Sequence, residues 1–183
     1  MDFSREAQLL RIAELLPRFP EARELLERYR RSLERAMGEP SRPTGPHDAR
    51  DDARDDGPAG AGAAPVPARC PGCGAPPGLS VLVEEPETHG GARRLICAQC
   101  ERAWPFPRIV CPACGAEETE RLPRFQAEEI PGARIEACDA CGTYLKTIDL
   151  TRDARAVPAV DDLATCSLDL AARERGYRRI GAG

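Results

Sequence analysis

Apolar and charged residues alternate at helical spacing in the N-terminal part of the chain. Two apolar stripes are separated by Pro17 and Pro20, and a proline is well tolerated at the first position of a helix. We therefore predict a helical appendage over residues 1–37, with a helical hairpin that either docks a partner or packs on the rest of the chain. The stripes consist of Leu9, Leu10, Ile12, Leu15 and Leu16, and then of Leu25, Leu26, Tyr29 and Leu33.

The central and C-terminal parts show a different pattern. Short strand-like runs separated by turns predict strands at residues 80–84, 93–96, 134–137 and 143–150, with a further extended run at residues 119–125. Residues 158–180 begin with a proline and two nearby acids and have apolar residues at helical spacing up to Gly176. We predict that they form a C-terminal helical segment that packs on the strands.

Residues 38–69 contain no Leu, Ile, Phe, Tyr or Trp and are rich in Gly, Pro and Ala. Such a composition cannot bury enough apolar surface to offset the entropy of ordering, so it predicts a disordered linker. Aromatic residues make up only 4% of the 183-residue chain, which is little for a large core. A bound metal ion can replace part of that missing core in a small domain.

Eight of the nine cysteines form four Cys-x-x-Cys pairs that repeat at a fixed distance. Each member of the third and fourth pairs lies 41 residues after its counterpart, since 111 minus 70 is 41. A unit with two pairs therefore occurs twice, at residues 70–109 and 110–150. The pairs are Cys70/Cys73, Cys97/Cys100, Cys111/Cys114 and Cys138/Cys141.

This spacing is typical of tetrathiolate metal sites. Two cysteines three residues apart can hold one ion across a tight turn, and two such turns complete a tetrahedron. A glycine after the second cysteine permits a positive φ; Gly74, Gly115 and Gly142 occupy that position, whereas Glu101 does not. The sequence predicts two metal ions, one per tetracysteine site, and iron and zinc both suit four thiolates.

The favoured grouping lies within each repeat, because it keeps the two copies equivalent. The alternatives are a shared site made of the two middle pairs, and disulfides. An early acid and the lack of an apolar run at the N-terminus do not resemble a secretion signal, so we expect a cytoplasmic protein in a reducing compartment, which disfavours disulfides. The ninth cysteine, Cys166, is interpreted as a small buried side chain rather than a reactive thiol.

Charge and motif content argue against several functions. Residues 69–150 carry nine Lys/Arg and twelve Asp/Glu, and two tetrathiolate sites with divalent ions would each add −2, which is the wrong field for nucleic acid. No apolar run is long enough for membrane insertion. No catalytic constellation is recognisable, and a site closed by four thiolates has no open position for substrate, so we expect no enzyme activity.

The order of the motifs resembles one known family. A Cys-Pro-x-Cys-Gly motif is followed by Leu95-Ile-Cys-x-x-Cys100 and Trp104, and then by the run Arg-Ile-Val-Cys-Pro-Ala-Cys-Gly at residues 108–115. The runs Glu-Ala-Cys-Asp-Ala-Cys-Gly-Thr-Tyr-Leu-Lys at 136–146 and Asp-Asp-Leu-Ala-Thr at 161–165 complete the set. With these motifs, residues 69–180 resemble the formate dehydrogenase accessory proteins of the FdhE type.

The resemblance implies two tandem rubredoxin-like or zinc-ribbon-like folds that carry iron or zinc on the eight cysteines. It further implies a cytoplasmic protein that is not an enzyme and that contacts the catalytic subunit of formate dehydrogenase, a molybdenum or tungsten enzyme, during its maturation. Members of the family usually carry a substantial helical domain before the first cysteine pair, where this chain has a short helical segment.

We therefore expect an α+β chain made of tandem rubredoxin-like or zinc-ribbon-like β modules, with a short N-terminal helical segment and a C-terminal helix. The expected function is an assembly factor that presents a metal-stabilised surface, with Trp104, Tyr144 and Lys146 as candidates for exposed contact residues. Trp104 and Tyr144 are also interpretable as packing residues. The alternative functions are a rubredoxin-like electron carrier and, less favoured, a nucleic-acid-binding zinc ribbon.

Overall fold

The computed structural model of the protein describes residues 4–38, 68–86 and 91–181. The linker predicted at residues 38–69 lies almost wholly outside the described residues, apart from residue 38 at a helix end and residues 68–69 before the first cysteine. It therefore stays a prediction, as does the division of the chain into domains.

Two helices form the N-terminal segment, as the apolar stripes predict. Helix α1 spans Arg5–Leu15 and begins where the Ser4 hydroxyl accepts a hydrogen bond from the Ala7 amide, 3.2 Å. A 3₁₀ turn at Pro20–Ala22 then leads into helix α2, Arg23–Gly38. Residues of both stripes join the main core, in which Ile12 and Leu26 are fully buried, whereas Leu10 of the predicted first stripe is 68% exposed.

Within the described residues, seven strands form one mixed sheet. The strands are β1 (Pro77–Val83), β2 (Ala92–Cys97), β3 (Ala103–Pro105), β4 (Arg124–Phe125), β5 (Ala133–Cys138), β6 (Thr143–Asp149) and β7 (Arg178–Arg179). Their spatial order is β3-β2-β1-β6-β5-β4, and β7 pairs with β6 beside this path.

The two cysteine repeats meet in the middle of this sheet. Each repeat contributes an antiparallel pair, β1 with β2 and β5 with β6, and the repeats are joined by parallel pairing of β1 with β6 from Ser80–Thr147 to Leu82–Asp149. The extended run predicted at residues 119–125 was wrong in part, because Thr119–Arg121 is a 3₁₀ turn and only β4 pairs with a neighbour. The tandem modules therefore share one sheet.

The C-terminal segment is helical, but in two pieces. Helix α3 spans Pro158–Ala164 and helix α4 spans Cys166–Glu174, with a break at Thr165, whose hydroxyl donates to the Asp161 carbonyl, 2.7 Å. The buried faces of both helices join the same core as the N-terminal helices and strands. The described architecture confirms the α+β class. Within the described residues, no helix is both long and apolar enough to cross a membrane.

Candidate metal centres

The first group of four cysteines lies at one end of the β1–β2 hairpin. Cys70 and Cys73 stand in the turn before β1, and Cys97 and Cys100 stand at the end of β2 and in the turn that follows. The Sγ atoms of Cys73 and Cys97 are 3.4 Å apart, and those of Cys70 and Cys100 are 3.5 Å apart. All four Sγ atoms lie within 4.8 Å of one another.

The second group repeats this arrangement on the β5–β6 hairpin. The Sγ atoms of Cys111 and Cys141 are 3.8 Å apart, and those of Cys114 and Cys138 are 3.7 Å apart. These four atoms also lie within 4.8 Å of one another. The structure thus brings the eight cysteines together in two groups, each made within one repeat, and the middle pairs do not share a site.

The sulfur separations suit a tetrahedral ion. Four thiolates at about 2.3 Å from a central ion are about 3.8 Å from one another in a regular tetrahedron. A disulfide needs an S–S distance of about 2.05 Å, and all nine cysteines are free thiols. Each group could therefore hold one metal ion, and four soft thiolates suit iron or zinc.

The turns direct backbone N–H groups at the buried sulfurs. The Gly72 amide donates to Cys70 Sγ and the Ala113 amide to Cys111 Sγ, each at 3.4 Å. Such donors stabilise thiolates and orient them around an ion. Gly74, Gly115 and Gly142 follow the second cysteines with φ of 74°, 77° and 66°. Glu101 takes the same left-handed conformation, φ 59°, although it has a side chain that disfavours it.

The environment lowers the pKa of two cysteines of the first group, Cys70 and Cys97, and of one cysteine of the second group, Cys141. At Cys97 burial works against ionisation, but the amides of Cys100 and Gln99 lower its pKa to about 6. At Cys141 burial would likewise raise the pKa, but hydrogen bonds from the hydroxyl and the amide of Thr143 lower it to about 7. A thiolate already formed near neutral pH gives an incoming cation its first ligand.

Each group is half covered by protein. The first cysteine of every pair is buried, while Cys73, Cys100 and Cys114 are exposed and Cys141 is intermediate. The buried side of the first group belongs to a small apolar cluster with Leu95, Trp104, Phe106 and Leu145. Four sulfurs at these separations would fill the tetrahedral coordination sphere of one bound ion.

A buried arginine connects the surroundings of the two groups. Arg93 on β2 pairs with Glu136 on β5 at 3.0 Å and donates to the carbonyl of Val110, one residue before Cys111, also at 3.0 Å. Burial alone would raise the pKa of the Glu136 carboxyl, but the Arg93 and Arg134 guanidinium groups lower it. Sequence reasoning missed this pair because its members lie in different repeats, 43 positions apart.

The expected contact residues are not on the surface. Trp104 is 4% exposed, Tyr144 1% and Lys146 0%, so the prediction of an exposed Lys146 was wrong and the packing interpretation of the two aromatic residues holds. The Lys146 ammonium lies 2.5 Å from Asp169 and 3.0 Å from Asp162, which belong to the C-terminal helices. These acids stabilise a charge that burial alone would make unfavourable.

Arg179 completes this buried network. It contacts Asp162 at 2.8 Å and Asp169 at 3.2 Å, and the Tyr144 hydroxyl donates to Asp169 at 2.9 Å. Burial and the Asp169 carboxylate raise the pKa of Tyr144 to about 12, so the phenol stays protonated and remains a donor. Two cations and two anions thus attach the C-terminal segment to strand β6.

Cys166 lies apart from both tetracysteine groups, at the start of helix α4. Its side chain is partly buried against the main core. Burial raises the pKa of this thiol, which disfavours the reactive thiolate form.

Comparison with known proteins places most of the described strands and C-terminal helices in one family. The family model "FdhE, central domain" matches residues 69–108, and "FdhE, C-terminal domain" matches residues 109–183. Together they cover a continuous stretch that includes all eight paired cysteines.

Individual relatives agree with these matches. The chain is 39% identical over 111 residues to a protein FdhE homolog of Aquifex aeolicus, covering 61% of this chain and 39% of that protein. It is 34% identical over 117 residues to one of Pseudomonas putida, covering 62% of this chain and 36% of that protein. The chain therefore spans less than two fifths of the length of these curated relatives.

A solved structure supports the same likeness. The crystal structure of the FdhE protein from Pseudomonas aeruginosa matches with a TM-score of 0.55 and 33% identity, covering 63% of this chain and 40% of that one. The likeness thus includes three-dimensional fold as well as sequence.

Proposed function

Because the chain belongs to the FdhE family, we propose that it is an accessory protein that binds the catalytic subunit of formate dehydrogenase during the maturation of that enzyme. The observation that carries this proposal is the family match over residues 69–183, which contains both tetracysteine groups. The partner is a molybdenum or tungsten enzyme, and the binding takes place in the cytoplasm.

The eight paired cysteines are the proposed metal ligands. Cys70, Cys73, Cys97 and Cys100 hold one ion, and Cys111, Cys114, Cys138 and Cys141 hold the other. Their S–S separations of 3.4–3.8 Å support this assignment. In this role the ions fix the shape of the turns, and the protein itself performs no chemical step.

A buried framework supports a rigid binding surface. The parallel β1–β6 pairing and the Arg93–Glu136 ion pair connect the two repeats, and the Lys146 network attaches the C-terminal helices to them. Binding by a preorganised surface avoids the entropy of ordering loops on association. This is the physical advantage that two metal ions give to a chain with few aromatic residues.

A second candidate function is electron transfer by bound iron. The observation that favours it is the exposure of Cys73 and Cys100, which would bring an ion at the first site near the surface. This function requires an ion that changes oxidation state. Finding only zinc in protein produced with ample iron would exclude it.

Co-purification tests the main proposal. The full-length, metal-loaded chain carrying an affinity tag is used to capture the purified catalytic subunit of formate dehydrogenase from the same organism. We expect a complex, and we expect a strain lacking this protein to lose formate dehydrogenase activity. Absence of a complex together with normal activity in that strain would reject the proposal.

A further inference from the structure

A cleft lies where the first cysteine repeat meets helices α1 and α3 and strand β7. Its volume is about 380 Å³, within the range of about 300–1,000 Å³ that is usual for ligand sites. Most of its wall is apolar. The apolar wall is formed by Leu79, Ile96, Ala98, Val157, Pro158 and Ile180.

The cleft carries negative charge on the side of the first metal centre. The carboxylate of Glu101 is exposed at the cleft, and burial together with this negative charge raises the pKa of Tyr29 on helix α2. The other charged groups of the wall, Asp162 and Arg179, neutralise each other at 2.8 Å. Cys97 also lines the cleft, so four thiolates around a divalent ion would add a further −2 beside Glu101.

Glu101 has a left-handed backbone conformation that is unfavourable for a residue with a side chain. Its φ of 59° is the only positive value at a non-glycine residue in the described part of the chain. The three equivalent turns place Gly74, Gly115 and Gly142 there, so a glycine satisfies the same turn without strain. Unfavourable backbone conformations of this kind concentrate at functional sites. The fold of the turn therefore does not explain a glutamate at the edge of the cleft.

We propose that this cleft docks an extended segment of the partner protein in which an apolar side chain is flanked by lysine or arginine. The apolar side chain enters between Ile96 and Val157, and the flanking cation pairs with the Glu101 carboxylate. This proposal rests on the proposed function, since it gives the chemistry by which the catalytic subunit is recognised.

Charge also argues against an occupant from the chain itself. Residues 39–67 carry six Asp/Glu and three Arg, which gives a net charge of −3. A segment of that charge would be repelled by Glu101 and by a tetrathiolate centre. A basic and apolar segment of another protein has the complementary character.

Peptide binding to the full-length, metal-loaded chain tests the proposal. One probe is a set of overlapping peptides from the catalytic subunit of formate dehydrogenase. The other is a designed extended peptide with an Arg-Leu-Arg centre, compared with the same peptide carrying Glu-Leu-Glu. We expect binding of the Arg-Leu-Arg peptide and of the catalytic-subunit peptides that combine these features, no binding of the Glu-Leu-Glu peptide, and weaker binding at high salt.

Three variants separate the role of Glu101 from its effect on folding. Glu101→Gln keeps the strained backbone and removes the charge, and it should weaken binding about fivefold, as the loss of a partly exposed ion pair does. Glu101→Gly should also weaken binding while raising the melting temperature. Ala159→Trp fills the cleft from an exposed position and should abolish binding. Glu117→Gln, which removes an exposed charge in the second repeat, is the matched control and should change nothing.

The outcomes distinguish failure of the cleft from failure of the partner. If the catalytic subunit binds the wild type, Glu101→Gln and Ala159→Trp equally well, the docking site is wrong and the proposed function stands. If only the designed peptide binds, and it does so through Glu101, the cleft stands and the named partner is wrong. If residues 39–67 occupy the cleft, their deletion strengthens peptide binding at least tenfold, and the proposed occupant is overturned.

Discussion

Replacement of Lys146 by methionine should destabilise the protein strongly. The ammonium is fully buried and lies within 3.1 Å of four oxygens: one carboxylate oxygen each of Asp162 and Asp169, and the carbonyls of Asp162 and Thr165. Methionine preserves most of the volume, but within the described part of the chain it leaves the two acids with Arg179 as their only cation. The carbonyls of Asp162 and Thr165, at the C-terminal end of helix α3, also lose the cation as one of their donors, while the Thr165 hydroxyl stays 3.5 Å from the first and the Leu168 amide 3.1 Å from the second.

The magnitude follows from the burial of the charges. Removing one partner of a buried ion pair costs about 3–5 kcal/mol, because the remaining charge stays out of water. Asp162 is 21% exposed and Arg179 remains in contact with both acids, so we expect the lower end of that range, about 3 kcal/mol. This is a large share of the 5–15 kcal/mol that is typical for a folded domain.

Urea unfolding of the metal-loaded protein, followed by circular dichroism, measures this loss. Adding Asp169→Asn to Lys146→Met should recover about 1 kcal/mol, since the double variant removes the unbalanced charge while keeping an acceptor for Tyr144. Arg152→Met removes an exposed arginine at 3.7 Å from Asp149 and serves as control, with an expected change below about 0.5 kcal/mol. A loss of less than about 1 kcal/mol in Lys146→Met would refute the buried network.

Three further predictions concern the metal centres and the N-terminal helices. Cys111→Ser should bind one metal ion instead of two and lose much of the folded second repeat, and retention of both ions by elemental analysis would contradict the ligand assignment. Glu101→Gly should raise the free energy of unfolding by about 1 kcal/mol through relief of the left-handed strain, and a decrease in thermal unfolding experiments would show that the side chain supports the fold. Partial burial would raise the pKa of the Asp153 carboxyl, but the Arg155 amide and the Arg11 guanidinium lower this pKa in the folded state. The contribution of the Asp153 carboxylate to stability is therefore present above the unfolded pKa of about 3.9 and is lost as the pH falls through the folded pKa. The stability difference between wild type and Asp153→Asn should accordingly be constant at neutral pH and shrink below about pH 4, and a constant difference down to pH 2 would exclude this linkage.

The cysteine groups were predictable because their chemistry is local and repeated. Two residues three positions apart define each turn, and the 41-residue repeat defines which turns belong together. The left-handed turn at Glu101 was also within reach, since residue 101 is the repeat equivalent of Gly142. The sequence shows that a glycine is missing there, and the structure shows that the backbone conformation is kept without it.

The junction of the repeats could not be predicted in the same way. Each repeat has the pattern of a complete hairpin, and parallel pairing of β1 with β6 joins segments that lie 67 positions apart, such as Ser80 and Thr147. Such a contact has no local signature. One indication was the mostly buried character of strand β6, whose residues after Thr143 are all buried, which is expected of a strand covered on both faces.

Lys146 was misplaced for a related reason. Lysine is rarely buried unless it is paired, so a lysine without an evident partner in the sequence suits an exposed contact residue. Its partners, Asp162 and Asp169, follow 16 and 23 residues later on separate helices, and nothing local connects them to the strand. The Asp-Asp pair of helix α3 was interpreted only as a favourable helix start, whereas Asp161 pairs with Arg11 and Asp162 with Lys146.

Metal content combined with X-ray absorption spectroscopy tests the two tetrathiolate centres most directly. Purified full-length protein should contain two iron or zinc ions per chain, each surrounded by four sulfur atoms at about 2.3 Å. A sample without metal, with a single ion, or with oxygen or nitrogen in place of one of the sulfurs would contradict two closed sites built from the eight paired cysteines.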